Sequence, residues 1–351
     1  MRKILYTIFI IFISFSVTYG NEQLDIALVK AVKEQNFTNV KNLILKGANV
    51  NAEVNGVSPL IWSCYNGNIF ITVYLIEHGA NIYYTDRDGD TTVVVASLKG
   101  HQSIVSYLVS IATAESILTN SQSRKSAMDW AKEKGFTGIV QILENAPKQI
   151  AINSKFSNAC WFESLENVKN YLYQGANINA LNWRGANGLL LATFRETNEA
   201  LPIVKYLLGK SINLKAYSFN GWTPLHVASY KGKIELIKLF ISHRMDVNIR
   251  HGRFKTTPLM FAAQEGHLEI LNYLLSKGAD PCIATPKGYR ASWFCTAEPR
   301  DYGPPRAKPE NIPAVLKILK EREARCGNLP GNNSIPPRRH NSQGRVLGFL
   351  F

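Results

Sequence analysis

The chain has 351 residues, of which 46% are hydrophobic and 19% charged, and carries a formal net charge of +14. That composition excludes a disordered or collagen-like polymer and allows either one large core or an extended array. The basic excess is thinly spread, with Lys and Glu interspersed, and is concentrated only in an acid-free tail with Arg325, Arg338, Arg339 and Arg345; this argues against a specific nucleic-acid footprint.

The N-terminal segment, residues 1–20, reads as a secretory signal. Arg2 and Lys3 precede an apolar run from Ile4 to Val17, and Thr18-Tyr19-Gly20 supplies small residues near a cut point. Cleavage is expected after Gly20. The competing reading is an uncleaved anchor, but the run is short for a span of about 20 residues. No other stretch is long and apolar enough to cross a bilayer, so the mature chain is expected in the periplasm or outside the cell with no membrane span.

Beyond that segment, apolar pairs recur with a fixed phase. Gly67-Asn68, Gly100-His101, Gly232-Lys233 and Gly266-His267 each follow one short apolar segment and precede another. The steps from Gly67 to Gly100 and from Gly232 to Gly266 agree closely, at a period of about 33 residues. Loops follow at Gly47-Ala48-Asn49, Gly79-Ala80-Asn81, Gly175-Ala176-Asn177 and Gly278-Ala279-Asp280. Thr before Pro at Thr223-Pro224 and Thr257-Pro258 suits an N-cap and first helical residue. Gly266 and Gly278 suit helix ends that need a left-handed residue. About nine helix pairs are predicted, starting near Leu24, Asn55, Asp88, Lys125, Ile152, Arg184, Asn220, Lys255 and Lys287. One such pair cannot bury its own apolar flank, so stacking must supply the core.

The middle of the chain departs from the pattern. Lys125–Ala131 keeps the phase without Thr-Pro-Leu-His. Ala131 and Ala159 lie closer than one full period, too close for a complete loop, and Pro147 falls between them. Asn39-Val40-Lys41-Asn42 recurs close to four units later as Asn167-Val168-Lys169-Asn170. Two half-arrays, 21–146 and 147–325, joined near Pro147 are therefore expected, stacked continuously or bent at the junction. Arg195–Pro202 and Thr296–Asn311 lengthen two helix–helix turns. Residues 326–351, rich in Pro, Asn, Gly and Arg, read as a disordered basic tail.

The best copies, Asn220-Gly221-Trp222-Thr223-Pro224-Leu225-His226-Val227-Ala228 and Thr257-Pro258-Leu259-Met260-Phe261-Ala262-Ala263-Gln264-Glu265-Gly266-His267, resemble the ankyrin repeat. The resemblance covers most of Leu24 to Glu323 and implies an all-α solenoid of helix-turn-helix units with finger loops, exported and of bacterial type. It also implies a concave face, made of finger tips and first helices, that binds a partner protein. Carried over by position, that face holds Tyr65, Arg87, Asp88, Lys99, Trp183, Arg184, Phe219, Trp222, Tyr230, Lys231, Arg253, Phe254 and Gln264. Trp, Tyr and Arg are the usual interface anchors, which singles out Trp183, Trp222 and Tyr230. Replacing both Trp222 and Tyr230 is expected to weaken capture with the melting temperature nearly unchanged.

Chemistry is harder to find. There is no phosphate loop after a strand, no His-Glu-x-x-His and no Gly-x-Ser-x-Gly. The five cysteines fit no zinc spacing. No catalytic site, cofactor or metal is expected, and the reading is a monomeric, non-enzymatic scaffold for another protein. The alternative is a basic surface that binds anionic polymers or host components by charge. Cys64, Cys160 and Cys295 take small-residue positions in first helices. Cys282 and Cys326 follow the second helices of adjacent units. Helices pack about 8–10 Å apart, just beyond the roughly 7 Å reach of a disulfide; freedom at the chain end would close that difference, making Cys282–Cys326 a candidate staple.

Overall fold

A computed structural model describes residues 19–120, 122, 125–214, 217, 218, 221–250, 255–296 and 309–326. The expected signal run, the tail beyond Cys326 and most of the Thr296–Asn311 insertion lie outside the described residues. Among these residues there are 17 α-helices and no strand, only isolated bridges: an all-α solenoid with finger loops.

The helices pair in chain order. The first four units are α1 (Tyr19–Lys33) with α2 (Phe37–Lys46), α3 (Pro59–Asn66) with α4 (Ile69–Glu77), α5 (Thr92–Leu98) with α6 (Gln102–Ile111), and α7 (Ala127–Glu133) with the start of α8 (Thr137–Phe162). The remaining five are the end of α8 with α9 (Leu165–Tyr173), α10 (Gly188–Phe194) with α11 (Ala200–Leu208), α12 (Pro224–Lys231) with α13 (Ile234–Ser242), α14 (Pro258–Gln264) with α15 (Leu268–Ser276), and α16 (Ala291–Thr296) with α17 (Ile312–Glu323). The first helix begins at Tyr19, ahead of the expected cleavage point. No described helix is long and apolar enough to cross a membrane.

Local chemistry explains the boundaries. Ser58, Thr91, Ser126, Asn187, Thr223 and Thr257 sit extended at N-caps, and each side chain accepts from the backbone N–H three residues on, satisfying a donor the helix cannot. Gly67 closes α3 at φ 77°, and a Cβ there would collide with the His101 ring. Gly232 and His267 repeat the arrangement, with φ 75° and a Cβ position 2.9 Å from the ring. The Gly-His signature thus joins a left-handed cap to the imidazole of the next unit, which also bonds back: His101 Nε2 to Tyr65 O and His267 Nε2 to Tyr230 O, both 3.0 Å.

The same device, built from other residues, runs along the array. Asn66 donates to the carbonyls of Val32 and Lys33 at the end of α1. Arg195 donates to Ala159, Cys160 and Glu163 at the end of α8. The first residue of the Arg195–Pro202 insertion is therefore a cap for the preceding unit.

The middle of the chain is unusual. The fourth unit's second helix and the fifth unit's first helix are one continuous helix of 26 residues, with Pro147 inside it. Where other units place a finger, α8 runs straight on. The buried apolar residues divide within it, into one cluster from Leu28 to Ile150 with Leu181 and another from Phe156 to Leu319.

Past α8 the array doubles back. Leu181, in the finger after α9, donates its N–H to Ile111 O at 2.7 Å, and its carbonyl accepts from the Tyr83 and Thr113 hydroxyls. Tyr217, one finger later, stacks on His78 at 6.3 Å and packs against Gly79. Lys255, one finger later again, lies against Gly47 of the first unit. Fingers of the second half thus meet successively earlier units of the first.

The C-terminal unit is fastened twice. Cys282 and Cys326 are joined by a disulfide, with Cα atoms 5.5 Å apart. The Glu323 carboxylate accepts from Ser292 N and Oγ, tying the end of α17 to α16.

Candidate functional site

First helices of successive units carry aromatic residues near their C-terminal ends, and the stack brings these together. In the second half Trp161 and Phe162 stack at 5.3 Å, Trp161 reaches Phe194 at 6.5 Å, and Phe194 meets Trp222 at 6.4 Å. Trp222 in turn meets Tyr230 at 5.8 Å and Phe261 at 4.7 Å, and Tyr230 meets Phe261 at 6.2 Å. The run crosses four units. Phe162 is its open end, 72% exposed.

In the first half the corresponding surface interleaves rings and ammonium groups. Lys33 lies 4.2 Å over Trp62, Trp62 meets Tyr65 at 5.7 Å, and Lys99 lies 4.0 Å over Tyr65. Lys125 and Lys134 flank Trp130. Such pairs hold flexible lysines in place through the ring quadrupole.

The predicted face is thus only partly an open surface. Tyr65 and Trp183 are exposed, 45% and 63%, and Arg184 lies 4.3 Å over the Trp183 ring. Arg87 and Asp88 are exposed at a finger tip, where Asp88 N–H bonds Asp86 and Asn120 bonds the Asp88 carbonyl. Lys99 is exposed, and Lys231 pairs with Glu196. Gln264 is buried, only 5% exposed, which corrects its expected place on an open face: α14 is flanked by both α12 and α16, and the side-chain oxygen has no hydrogen-bond partner among the described residues. Phe219, Arg253 and Phe254 lie outside the described residues.

Trp222 and Tyr230 are half-buried in the aromatic run. Burial and the nearby Glu265 push the Tyr230 hydroxyl up to about 12. Aromatic contacts of this kind add roughly 0.5–1.5 kcal/mol each beyond area burial. Given these contacts, the Trp222→Ala, Tyr230→Ala double replacement is expected to lower the melting temperature rather than leave it nearly unchanged. Sequence reasoning missed Phe162, although the register that placed Cys160 in a first helix also puts Phe162 at that helix's exposed end.

Nothing in this surface resembles a reactive centre. Cys64 is fully buried, and burial pushes its thiol up to about 12; burial raises Cys160 further still. Burial therefore favours the thiol over the thiolate, the reactive form, at both positions. Among the described residues no group of three or more His, Cys, Asp and Glu is placed to hold a metal.

Comparisons with known proteins match this geometry. A family model of ankyrin repeats matches three times, over residues 28–120, 156–251 and 189–285, leaving out α7 and the first part of α8. The chain is 24% identical over 228 residues to the NAD-dependent deacetylase sir2B of Dictyostelium discoideum, covering 54% of this chain and 29% of that protein. It is 27% identical over 133 residues to the phosphocholine transferase AnkX of Legionella pneumophila, covering 38% of this chain and 13% of that protein. It is 34% identical over 95 residues to ankyrin repeat and SOCS box protein 3 of Bos taurus, covering 26% and 17%. The chain spans less than a third of each of these relatives. Repeat phase, paired helices with fingers and the family match together show that this chain belongs to the ankyrin-repeat family.

Proposed function

We propose that the chain is a non-enzymatic scaffold that binds another protein through the first-helix face of its second half. The observation that carries this is the aromatic run from Phe162 to Phe261, held rigid by its own packing and open at Phe162. Rigid aromatic anchors gain contact area at little entropic cost, and a few such residues carry most of the affinity in an interface. Trp183 with Arg184 extends the reading to a finger tip. The deacetylase and transferase activities named for the relatives belong to proteins of which this chain spans a small part. The N-terminal basic–apolar segment and the Cys282–Cys326 disulfide support an exported, oxidised setting, and a monomer suffices for the role.

The test is affinity capture from the envelope and medium of the source cells, then titration of the captured protein. Phe162→Ser and Trp183→Ser should each weaken binding about tenfold or more, the range for central anchors, with only a small fall in melting temperature, because each ring is mostly exposed and has one ring or cation contact to lose. Unchanged affinity in both variants would sink the assignment of this face. A salt series separates the charge-driven alternative: binding that falls steeply from low to high salt points to a polyanion, and a flat response to the aromatic face.

A further inference from the structure

Where the two half-arrays meet, they enclose a cavity of about 260 Å³ lined by Val73, Ile76 and Glu77 of α4, Tyr107 and Ile111 of α6, and Tyr217 with asparagines of the second half's fingers. The ankyrin framework does not require it; it exists because the array doubles back. Its volume is below that of a drug-sized pocket and fits a small head group.

Its chemistry has one sign. Among the described residues of the lining, Glu77 is the only charged side chain. It ends α4, whose last turn contains no basic residue, and it forms no ion pair among the described residues. A carboxylate at a helix C-terminus is repelled by the partial negative charge there, so Glu77 stands at a local cost. Ile111, at the end of α6, also lines the space, its carbonyl already accepting from Leu181 N. Asn179 and Asn187 each donate an amide hydrogen to a backbone carbonyl, those of Ser211 and Asn213. Two aromatic rings complete the lining. Tyr107 stands on α6, and Tyr217 is held from behind by its stack on His78. A carboxylate and two phenol rings around a small space are what an organic cation needs, since ring faces attract ammonium groups as a carboxylate does.

We propose that this inter-half cleft binds an alkylammonium head group, carried by a small free amine or by a lysine side chain of another polypeptide. The walls come from both halves, so an occupant links α4 and α6 to the second half's fingers and stabilises the doubled-back arrangement. The proposal is independent of the aromatic face and of any partner bound there.

The experiment uses the full chain. Its melting temperature and calorimetric binding are measured with tetramethylammonium chloride, with Nα-acetyl-lysine N-methylamide, and with sodium chloride at matched ionic strength. At saturation either organic cation should raise the melting temperature by about 2 °C or more over sodium chloride, by mass action on the folded state. Glu77→Gln should weaken that binding at least tenfold while keeping the helical circular-dichroism spectrum. Tyr107→Leu should also weaken it, and serves as the reporter if Glu77→Gln does not fold. A response to tetramethylammonium alone assigns the cleft to a free amine, and a response to both probes admits a lysine side chain. No rise above sodium chloride with either probe, or a rise that persists in the folded variants, overturns the proposal.

Discussion

Asn153 shows how much one side chain can decide. It is fully buried on α8 and makes four hydrogen bonds: its amide donates to Ser110 O and Ala112 O of the first half, each at 2.9 Å, while its oxygen accepts from Asn177 N of the second at 2.8 Å and from Gln149 Nε2 of the same helix at 2.9 Å. The four-unit offset that relates the two halves maps Asn153 onto Asp25, whose carboxylate accepts from Asn49 N at 2.7 Å. The acceptor role is shared, but Asp25 sits in the first described unit and has no carbonyls to serve, so an acid suffices there. Asn153→Asp should keep the bond to Asn177 and turn an acceptor toward two buried carbonyls, costing about 2–3 kcal/mol in urea unfolding by the usual penalty for unpaired buried groups. Asp25→Asn retains the acceptor and leaves no buried carbonyl facing a second acceptor, so it should cost less than Asn153→Asp. Equal effects at the two sites would contradict the assignment of Asn153 as the pin between halves. The equivalence was hidden in the sequence because the two residues differ in type, and what repeats visibly is the Asn-Val-Lys-Asn stretch and the Gly-Ala-Asn loop that follow each of them.

At the scale of elements, most of the helix pairs were legible because each unit carries its own stop and start signals, a cap such as Thr223 and a glycine such as Gly232. Helix α8 was not. Pro147 and the short spacing suggest a break, yet the buried positions Ile139, Leu143, Ala146, Ile150, Asn153, Ser157 and Cys160 advance by three or four residues without a phase change. The stripe is concealed by its polar members, Asn153 and Ser157. Flanking helices on both sides offset the hydrogen bond that Pro147 removes. At the other end of the array, the last unit has a single neighbour and relies on its two fasteners. Cys326→Ser opens a link across 44 residues, which the chain-entropy picture values at about 4 kcal/mol, with about 2–4 kcal/mol typical in practice. Hydrogen exchange should then show α17 fraying before α15, and uniform protection across both helices would mean the disulfide is dispensable. Glu323 adds a pH dependence. Burial raises its carboxyl above 4.5, more than the Ser292 bonds lower it. The folded state then holds its proton to higher pH than the unfolded chain, so this group's contribution weakens as pH rises through the interval just above 4.5. Wild type should gain melting temperature on acidification from pH 7 to pH 4.5 relative to Glu323→Gln, and a constant difference between them would remove Glu323 as the source.

Taken as a whole, the molecule closes on itself in a way no repeat signature announces. Repeats encode contacts between neighbours one period apart, and a solenoid's order follows from those alone. The contacts that fold the array back pair Ile111 with Leu181, Gly79 with Tyr217 and Gly47 with Lys255. Each pair lies further apart in sequence than the one before, centred on α8, so no fixed period marks them. The same geometry limits the predicted interface, because fingers of the second half that would tip toward a partner instead rest against the first half. A scattering measurement separates the two shapes. Nine units stacked at about 10 Å each make an extended array with a radius of gyration of about 26 Å. A doubled-back chain of about 300 ordered residues should approach the value for a compact domain, about 19–20 Å. Small-angle scattering from the chain ending at Cys326 should give the smaller value, and Leu181→Pro, which removes the N–H bonded to Ile111, should move it toward the larger while the helical content stays the same. A wild-type radius matching the extended array would mean that the halves do not clasp. The cavity between them would then have no walls, and the second half's fingers would again be free to meet a partner.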